Sequence, residues 1–330
     1  MANNEKHNAK IIGVGAYVPE KVYDNAYMER IVDTSDEWIV RRTGVKERRI
    51  SADNEFTTDM ATKASLKALE DAGLAAEDLD LLILATVTPD YFTPSCACVV
   101  QNNIGAVNAA AFDYNAACSG FVTGLTIAQQ FIETGAYKNI LVVCADVLSK
   151  ATDYKDRATC VLFGDAAGAA IVSASDEPGI IATEIGADGT GYNAITSLAF
   201  REDAEELEKR ISGDKKTLWM AGQTVMKFAV RAMADSTKRV VEKAGLTMDD
   251  IALVIPHQAN YRIVDSAIKH IGISPDKVYL ILEKYGNTSA SCIPVALSEA
   301  LESGRVKKGD KIVMVGFGGG LTWGSAVVQL

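Results

Sequence analysis

Residues 111–125 read AFDYNAACSGFVTGL, which predicts an apolar strand, a tight turn of small residues and a helix rich in Ala, Gly and Leu. Cys118 lies in this turn, at the predicted start of the helix. Unpaired backbone N–H groups and the helix dipole favour an anion there, so we expect the Cys118 thiol to lose its proton more easily than an ordinary cysteine. A single free cysteine is more often an inert core residue, so the chemical interpretation depends on the rest of the chain.

Two later segments supply polar partners for such a thiol. The run IPHQANYR places His257 at the end of an apolar strand, where α/β proteins often carry their chemistry. The run KYGNTSAS places Asn287 ahead of a predicted helix, and its alternative role is that of a helix cap. A cysteine with a distant histidine and asparagine is typical of nucleophilic catalysis by a thiol.

The chain also repeats itself over a long period. Residues 70–83 (EDAGLAAEDLDLLI) match residues 242–255 (EKAGLTMDDIALVI), and their glycines are separated by 245 − 73 = 172 positions. A second match aligns the segment that starts at Cys118 with the one that starts at Asn287. Such matches are typical of a duplicated unit.

The duplication predicts two pseudo-equivalent halves, each with a buried sheet and covering helices. We expect an N-terminal half, residues 1–178, that carries the cysteine, and a C-terminal half, residues 179–330, that carries the histidine and the asparagine. Equivalent helix starts can then meet near the pseudo-twofold axis, so that Cys118 and Asn287 face one site from opposite halves.

Several motifs, taken in order, resemble those of β-ketoacyl-acyl-carrier-protein synthase III, the condensing enzymes that start type II fatty-acid synthesis. They are TSDEWIVRRTGVKERRI (34–50), NAACSGF (115–121), DRATCVLFGDAAGA (156–169), PHQANYRI (256–263), YGNTSAS (285–291) and GFGGGLTWGSA (316–326). The resemblance implies an α/β protein with the five-layered αβαβα thiolase fold, and a homodimer. It covers nearly the whole chain.

The resemblance also implies a reaction. An acyl-coenzyme A (acyl-CoA) primer would acylate Cys118, and malonyl-acyl-carrier protein would then lose carbon dioxide and attack the acyl group. His257 and Asn287 would stabilise the enolate left by decarboxylation. Backbone N–H groups of Cys118 and Gly319 would form the oxyanion hole, since acyl transfer needs fixed donors at the developing charge.

Three further sets of residues match binding positions of the family. The coenzyme A set is Thr34, Trp38, Arg42 and Arg157. The carrier-protein set is Lys227, Gln258, Ala259, Asn260, Tyr261 and Arg262. The acyl-pocket set is Thr93, Leu148 and Phe163. At the position of Thr93 some short-chain members have a bulky aromatic residue that reaches into the partner subunit's pocket, so Thr93 predicts a pocket for branched or medium-length primers.

Composition restricts the partners further. The net charge of −10 argues against nucleic acid, whereas the motif residues 41–49 (RRTGVKERR) are locally basic, as docking of an acidic carrier protein requires. No run is long enough to cross a membrane, and the N-terminal residues are polar. Six cysteines in mostly apolar segments indicate reduced thiols of a cytoplasmic protein. We expect no metal and no cofactor.

Other readings remain open. A specialised acyltransferase or condensing enzyme of secondary metabolism would carry the same residues. An enzyme similar to hydroxymethylglutaryl-CoA synthase usually has a glutamate near the cysteine, and Asn115, Ala116 and Ala117 offer none. A non-catalytic partner of a synthase typically lacks the nucleophile. Residues 199–217 are densely charged and predict a surface excursion without chemistry.

Overall fold

The structure is a computed structural model that describes residues 7–199 and 217–330, so most of the charged excursion predicted at 199–217 lies outside the described residues. The strands are β1 (Asn8–Tyr17), β2 (Lys21–Asp24), β3 (Glu47–Ile50), β4 (Leu81–Ala85), β5 (Ala110–Tyr114), β6 (Asn139–Asp146), β7 (Ala166–Ser175), β8 (Ile180–Ala187), β9 (Ile195–Thr196), β10 (Trp219–Met220), β11 (Leu253–Pro256), β12 (Lys311–Gly318) and β13 (Thr322–Gln329).

The α-helices of the described residues are α1 (Asn25–Ile31), α2 (Asp36–Thr43), α3 (Thr57–Ala72), α4 (Cys96–Ile104), α5 (Gly120–Glu133), α6 (Arg157–Cys160), α7 (Gly222–Lys243), α8 (Tyr261–Ile271), α9 (Leu282–Tyr285) and α10 (Cys292–Glu302). Side-chain caps begin several of them. Ser35 accepts a hydrogen bond from the Trp38 N–H at the start of α2, and Asn260 accepts one from the Arg262 N–H at the start of α8.

The two main sheets have the same strand order. The first runs β1-β7-β6-β4-β5, and the second runs β8-β13-β12-β11. Parallel and antiparallel pairs fall at the same places in both. In the part of the chain that the structure describes, the position equivalent to β5 holds only a parallel bridge of Val278 to Val254. The predicted duplication is therefore present in the fold. The predicted boundary at residues 178–179 falls between β7 and β8, and that exact division stays a prediction.

Helices separate and cover these sheets. Helix α5 contacts β6 and β7 on one side and β8, β12 and β13 on the other, and α10 also contacts strands of both sheets. Helices α3 and α4 cover the outer face of the first sheet, and α7 covers the outer face of the second and packs on α8. The layers are therefore α-β-α-β-α, as predicted.

Small residues allow the central helices to lie this close to the strands. A Cβ atom on Gly124 would come within 2.2 Å of the Tyr114 hydroxyl oxygen and 2.5 Å of a Val142 methyl carbon. Neither neighbour can retreat from a packed core without a cavity or strain elsewhere. The Ala- and Gly-rich composition of α5 is thus a consequence of its position between two sheets.

The two central helices begin in the same way. Ala117 and Ser289 both have a positive φ, 46° and 56°, and each opens a single 3₁₀ turn that leads directly into a central helix. These two residues are separated by 289 − 117 = 172 positions. A positive φ in two non-glycine residues is unusual and marks a tightly held turn.

This geometry corrects the alignment that paired Cys118 with Asn287. The helix ends, Glu133 and Glu302, are separated by 302 − 133 = 169 positions, because α10 has 11 residues and α5 has 14. The alignment of the two segments is therefore correct at the C-terminal ends of the two helices. At their N-terminal ends it is wrong by three positions. The true counterpart of Cys118 is Ala290, and Asn287 lies just ahead of the matching turn.

Candidate active site

A cavity of about 410 Å³ lies where the two halves meet, and Cys118, His257 and Asn287 all line it. Each reaches the cavity from the end of a strand or the start of a central helix. Apolar side chains and the glycine run at the end of β12 form much of the remaining wall, including Val87, Leu148, Phe163, Ile195, Leu218, Met220, Phe317, Gly318, Gly319 and Gly320.

The Cys118 thiol lies in the turn that precedes α5. Its Sγ atom is 3.5 Å from the Ser289 hydroxyl, which belongs to the matching turn of the other half. Burial raises the pKa of the Cys118 thiol to about 12, and the hydrogen bond with Ser289 acts in the opposite direction. The expected fall in pKa at a helix start is therefore wrong, because desolvation of the thiolate outweighs it. The residue keeps partial solvent access through the cavity.

His257 follows the last residue of β11 and is 1% exposed. Its backbone N–H donates to the Val315 carbonyl at 2.7 Å, and its ring meets the edge of Phe317 with centroids 5.0 Å apart. Burial lowers the pKa of His257 to about 3, and a hydrogen bond to the Ser289 backbone acts in the opposite direction. The imidazole is therefore neutral at physiological pH.

A second thiol lies beside the His257 ring. The Cys292 Sγ atom lies 3.0 Å from His257 Nδ1, and burial raises the pKa of Cys292, so this thiol keeps its proton. If the thiol donates to Nδ1, the proton of the neutral ring is on Nε2.

Asn287 is held by its own backbone as well as by its side chain. The backbone N–H donates to the Leu162 carbonyl at 2.8 Å, and the carbonyl accepts from the Gly164 N–H at 3.0 Å. The side-chain Oδ1 accepts from the Ser289 N–H at 2.9 Å, but the N-caps of the 3₁₀ turn and of α10 are Thr288 and Ser291, so Asn287 is not the helix cap considered as an alternative. With Oδ1 occupied, the Nδ2 amino group is the part of the amide that can donate to a ligand.

The glycine run brings β12 against the thiol. A Cβ atom on Gly318 would lie 2.5 Å from the Cys118 backbone nitrogen, so only glycine permits this approach. Gly319, predicted for the oxyanion hole, lines the same cavity.

The predicted coenzyme A residues lie outside this cavity, on the surface around α2. The Trp38 ring faces two guanidinium groups, Arg42 at 5.8 Å and Arg157 at 4.8 Å from the ring centre. Arg157 also donates to the Asp33 carbonyl at 2.8 Å. The hydroxyl of the adjacent Thr34 is buried and has no hydrogen-bond partner within residues 7–199 and 217–330. Planar cations over an aromatic ring suit a stacked base and its phosphates.

The predicted carrier-protein residues divide into two groups. Lys227, Tyr261 and Arg262 are exposed, and Arg262 shares a surface cavity with Arg41 and Arg42. Asn260 caps α8, and its Nδ2 donates to the Arg42 carbonyl at 3.0 Å. Ala259 lines the main cavity.

Gln258 does not belong to that surface. It is 0% exposed, and its Oε1 accepts from the N–H groups of Ile281 and Leu282 at 2.6 and 2.9 Å, while its Nε2 donates to the Tyr279 carbonyl. A buried side chain whose amide is fully engaged with the backbone cannot contact a docking protein. Its assignment to the carrier-protein set was therefore wrong.

The acyl-pocket residues are also divided. Leu148 and Phe163 line the cavity, but Thr93 is exposed and does not. Thr93 does not line the cavity of its own chain, and the expectation that it reaches the pocket of the partner subunit stays a prediction. Two residues of the cavity wall, Ser289 and Phe317, were not predicted from the sequence. Both lie inside the motifs quoted above, but a motif does not show which of its side chains face the thiol.

Two negative findings hold for residues 7–199 and 217–330. No helix there is long and apolar enough to cross a membrane. No group of three or more metal-ligating side chains is found there either. All six cysteines are free thiols.

A layered thiolase-type fold with a thiol, an imidazole and an amide in one cavity defines the class, a condensing enzyme of the acyltransferase type. Sequence models described as 3-oxoacyl-[acyl-carrier-protein] synthase III and its C-terminal part match residues 112–189 and 241–330. The β-ketoacyl-[acyl-carrier-protein] synthase III of Clostridioides difficile is 53% identical over 97% of this chain and 98% of its own.

Solved structures agree. The 3-oxoacyl-[acyl-carrier-protein] synthase III of Aquifex aeolicus is 46% identical, with a TM-score of 0.91 over 98% of this chain and 100% of its own. The priming β-ketosynthase of the R1128 polyketide pathway is 34% identical, with a TM-score of 0.92 over 100% of this chain and 98% of its own. The chain therefore belongs to the β-ketoacyl-acyl-carrier-protein synthase III family, and it is a condensing enzyme of fatty-acid initiation.

Proposed function

We propose that the protein condenses an acyl-CoA primer with malonyl-acyl-carrier protein by a ping-pong route through an acyl-Cys118 intermediate. The products are 3-oxoacyl-acyl-carrier protein, carbon dioxide and coenzyme A. The observation that carries the proposal is the presence of Cys118, His257 and Asn287 on the wall of one cavity.

In the first half-reaction the Cys118 sulfur attacks the primer thioester. The carbonyl oxygen becomes negatively charged, and the N–H groups of Cys118 and Gly319 are the donors we assign to it. Such donors act strongly in a cavity from which water is excluded. The acyl chain then occupies the apolar part of the cavity beside Leu148 and Phe163.

In the second half-reaction the malonyl thioester loses carbon dioxide, and its carbonyl oxygen takes the charge of the enolate. We assign His257 Nε2–H and Asn287 Nδ2–H to that oxygen. A neutral imidazole suits this role, because it donates a hydrogen bond without surrendering its proton, and the Cys292 thiol on Nδ1 favours the required tautomer. The enolate carbon then attacks acyl-Cys118.

We assign delivery of the substrates to two basic surfaces. Trp38, Arg42 and Arg157 would hold the nucleotide end of coenzyme A, since both guanidinium groups already lie over the indole. Lys227, Tyr261 and Arg262, with the Asn260 cap, would receive the acidic carrier protein. No cofactor enters the reaction, because both thioesters are substrates.

We also propose a cytoplasmic homodimer. Free thiols suit a reducing compartment. Strand β5 is an edge strand of the first sheet, and Phe112 on this strand is 38% exposed, as are Val107 at 73% and Phe92 at 75% nearby. An uncovered edge strand beside exposed apolar side chains suits pairing with a second copy. Only in that assembly could Thr93 reach a primer pocket.

The decisive experiment separates the half-reactions. Purified protein is incubated with a series of acyl-CoA primers, and the Cys118 adduct is identified by intact and peptide mass. The acylated protein is then given malonyl-acyl-carrier protein, and the 3-oxoacyl product is measured. Absence of any Cys118 adduct with all primers, while product still forms, would contradict the ping-pong route.

A second arm addresses secondary metabolism, to which the similarity with the R1128 priming ketosynthase points. The acylated protein is offered malonyl groups on a fatty-acid carrier protein and on a polyketide carrier protein. We expect faster product formation with the fatty-acid carrier protein. A clear preference for the polyketide carrier protein would favour the specialised function.

A further inference from the structure

Asp146, at the end of β6, is a buried carboxyl that the proposed reaction leaves without a role. The residue is 0% exposed. Its Oδ1 accepts from the Thr86 hydroxyl at 2.9 Å and from the Val87 N–H at 2.7 Å. Its Oδ2 is buried and has no hydrogen-bond partner of ordinary geometry among the described residues. A buried carboxylate oxygen without a hydrogen bond lowers the stability of the fold, so the presence of Asp146 at this position needs a physical reason.

The Ser289 hydroxyl connects Asp146 with the nucleophile. The 3₁₀ turn Ser289–Ser291 packs against β6, and the Ser289 side chain lies close enough to Asp146 for a hydrogen bond that lowers the pKa of the carboxyl. The same hydroxyl is 3.5 Å from Cys118 Sγ. The Ser289 hydroxyl therefore neighbours both the thiol and the carboxyl, and catalytic hydrogen bonds often tighten only when substrate binds.

We propose that Asp146 and Ser289 form a proton relay that accepts the Cys118 proton during acylation. This inference rests on the proposed function of Cys118. As the sulfur bonds to the thioester carbon, its S–H bond breaks and the proton passes to Ser289 Oγ. The Ser289 proton passes to Asp146 Oδ2. Coenzyme A leaves with the electrons of its C–S bond, and the proton returns through Ser289 to this thiolate or to water, so the enzyme keeps none.

The relay supplies a base for the Cys118 proton, which the other groups of the site do not provide. The Cys118 thiol is protonated at physiological pH, since burial raises its pKa to about 12. His257 is a weak base, since burial lowers its pKa to about 3. Burial instead raises the pKa of Asp146 to about 6, which makes this carboxylate the better proton acceptor of the two. The Asp146 charge also raises the pKa of Cys144, a buried thiol.

A purely electrostatic role for Asp146 predicts the opposite result. Its negative charge raises the pKa of the Cys118 thiol. If charge were its only influence, Asp146→Asn would lower that pKa and make the thiol more reactive. If Asp146 accepts the proton, the same substitution makes the thiol less reactive. The sign of the change therefore distinguishes the two roles.

The test measures alkylation of Cys118 by iodoacetamide across pH, with peptide mass spectrometry to assign the label. We expect Asp146→Asn and Ser289→Ala to slow alkylation of Cys118 by about 10²-fold at neutral pH. In the wild type the rate should rise through an inflection near the Asp146 pKa of about 6, and both variants should lose it. The exposed thiol of Cys98 is an internal control and should react equally in all proteins.

The design includes a second relay variant and a matched control. Ser289→Ala should fold, because Ala117 already adopts a positive φ in the matching turn, so this variant decides alone if Asp146→Asn does not fold. Asp165→Asn is the matched control, since Asp165 is 0% exposed and also accepts hydrogen bonds from a serine, Ser149. It should leave the pH inflection in place.

Unchanged or faster alkylation of Cys118 in both relay variants would overturn the relay. Iodoacetamide requires no acyl-CoA, so this result is independent of the proposed function. A repeat of the measurement with acyl-CoA as the reagent completes the design. Slowed alkylation in the variants combined with no acylation of the wild type by any primer would retain the relay and reject the proposed acyl transfer.

Discussion

The two turns that open the central helices have the same backbone and different chemistry. In the first half the turn Ala117–Ser119 presents a thiol to the cavity, and in the second half the turn Ser289–Ser291 presents a hydroxyl. The second turn also receives the Asn287 amide at its start. The two halves thus share the backbone conformation of this turn, and they differ in the side chains that the turn carries.

This difference assigns separate tasks to the halves. The first half carries the residue that we propose to hold the primer, and the second half carries the residues assigned to the malonyl group and its carrier protein. The two turns meet at the contact between Cys118 and Ser289. Each of the following predictions tests whether the division is real, and they run from the largest effect to the smallest.

The largest effect should follow removal of the thiol. We expect Cys118→Ala to fold normally, to form no acyl adduct and to lose overall activity on the order of 10⁶-fold, as enzymes that lose their nucleophile do. The measurements are intact mass after incubation with acyl-CoA and the steady-state rate. An adduct on this variant would show that another residue is acylated.

Moving the cysteine to the matching turn of the second half tests whether the two turns are equivalent. Ala290 is the counterpart of Cys118, but it is 1% exposed and faces Gly120 of α5, where a Cβ would approach it within 3.0 Å. We therefore expect Ala290→Cys in the Cys118→Ala background to restore neither the adduct nor the activity. Recovery of an adduct at position 290 would show that the two turns are chemically interchangeable.

Loss of the second-half donors should spare the first half-reaction. We expect His257→Ala and Asn287→Ala to acylate Cys118 at close to the wild-type rate but to decarboxylate malonyl-acyl-carrier protein about 10²–10³-fold more slowly, since one donor to the enolate is lost in each. Separate assays of the two half-reactions check this. An equal fall in acylation would mean that these residues act on the thiol.

A charge reversal on α8 should affect the carrier protein alone. We expect Arg262→Glu to raise the KM for malonyl-acyl-carrier protein roughly tenfold at low ionic strength and to leave the KM for acyl-CoA nearly unchanged. The difference should shrink with added salt, because exposed charges are screened. Lys238→Glu, on an exposed cation of α7, is the comparison for a change in net charge. An effect of equal size there would rule out a specific contact.

The smallest effect concerns pH. Because burial lowers the pKa of His257 to about 3, its ring stays neutral throughout the range in which a free histidine titrates. We expect the decarboxylation half-reaction, measured on enzyme already acylated, to change by less than about twofold between pH 5 and 8. A loss of rate on acidification with a midpoint near the ordinary histidine pKa would show that the site is wetter than the structure indicates.

Local patterns in the sequence were enough to predict the architecture. Apolar strands, small-residue turns and a long-period repeat are properties of neighbouring residues, so the duplicated α/β fold and the position of Cys118 at a helix start could be predicted from them. The order of the motifs then indicated the family, and the cavity brings Cys118, His257 and Asn287 together.

Only the tertiary structure decided the details of the site. The three-residue shift between the turns, the burial of Gln258 and the exposure of Thr93 depend on how distant elements pack. The pKa of the Cys118 thiol depends on desolvation by residues from both halves, which outweighs the local effect of the helix start. The contact of Ser289 with Cys118 joins positions far apart in the chain. It could not be predicted from patterns of neighbouring residues.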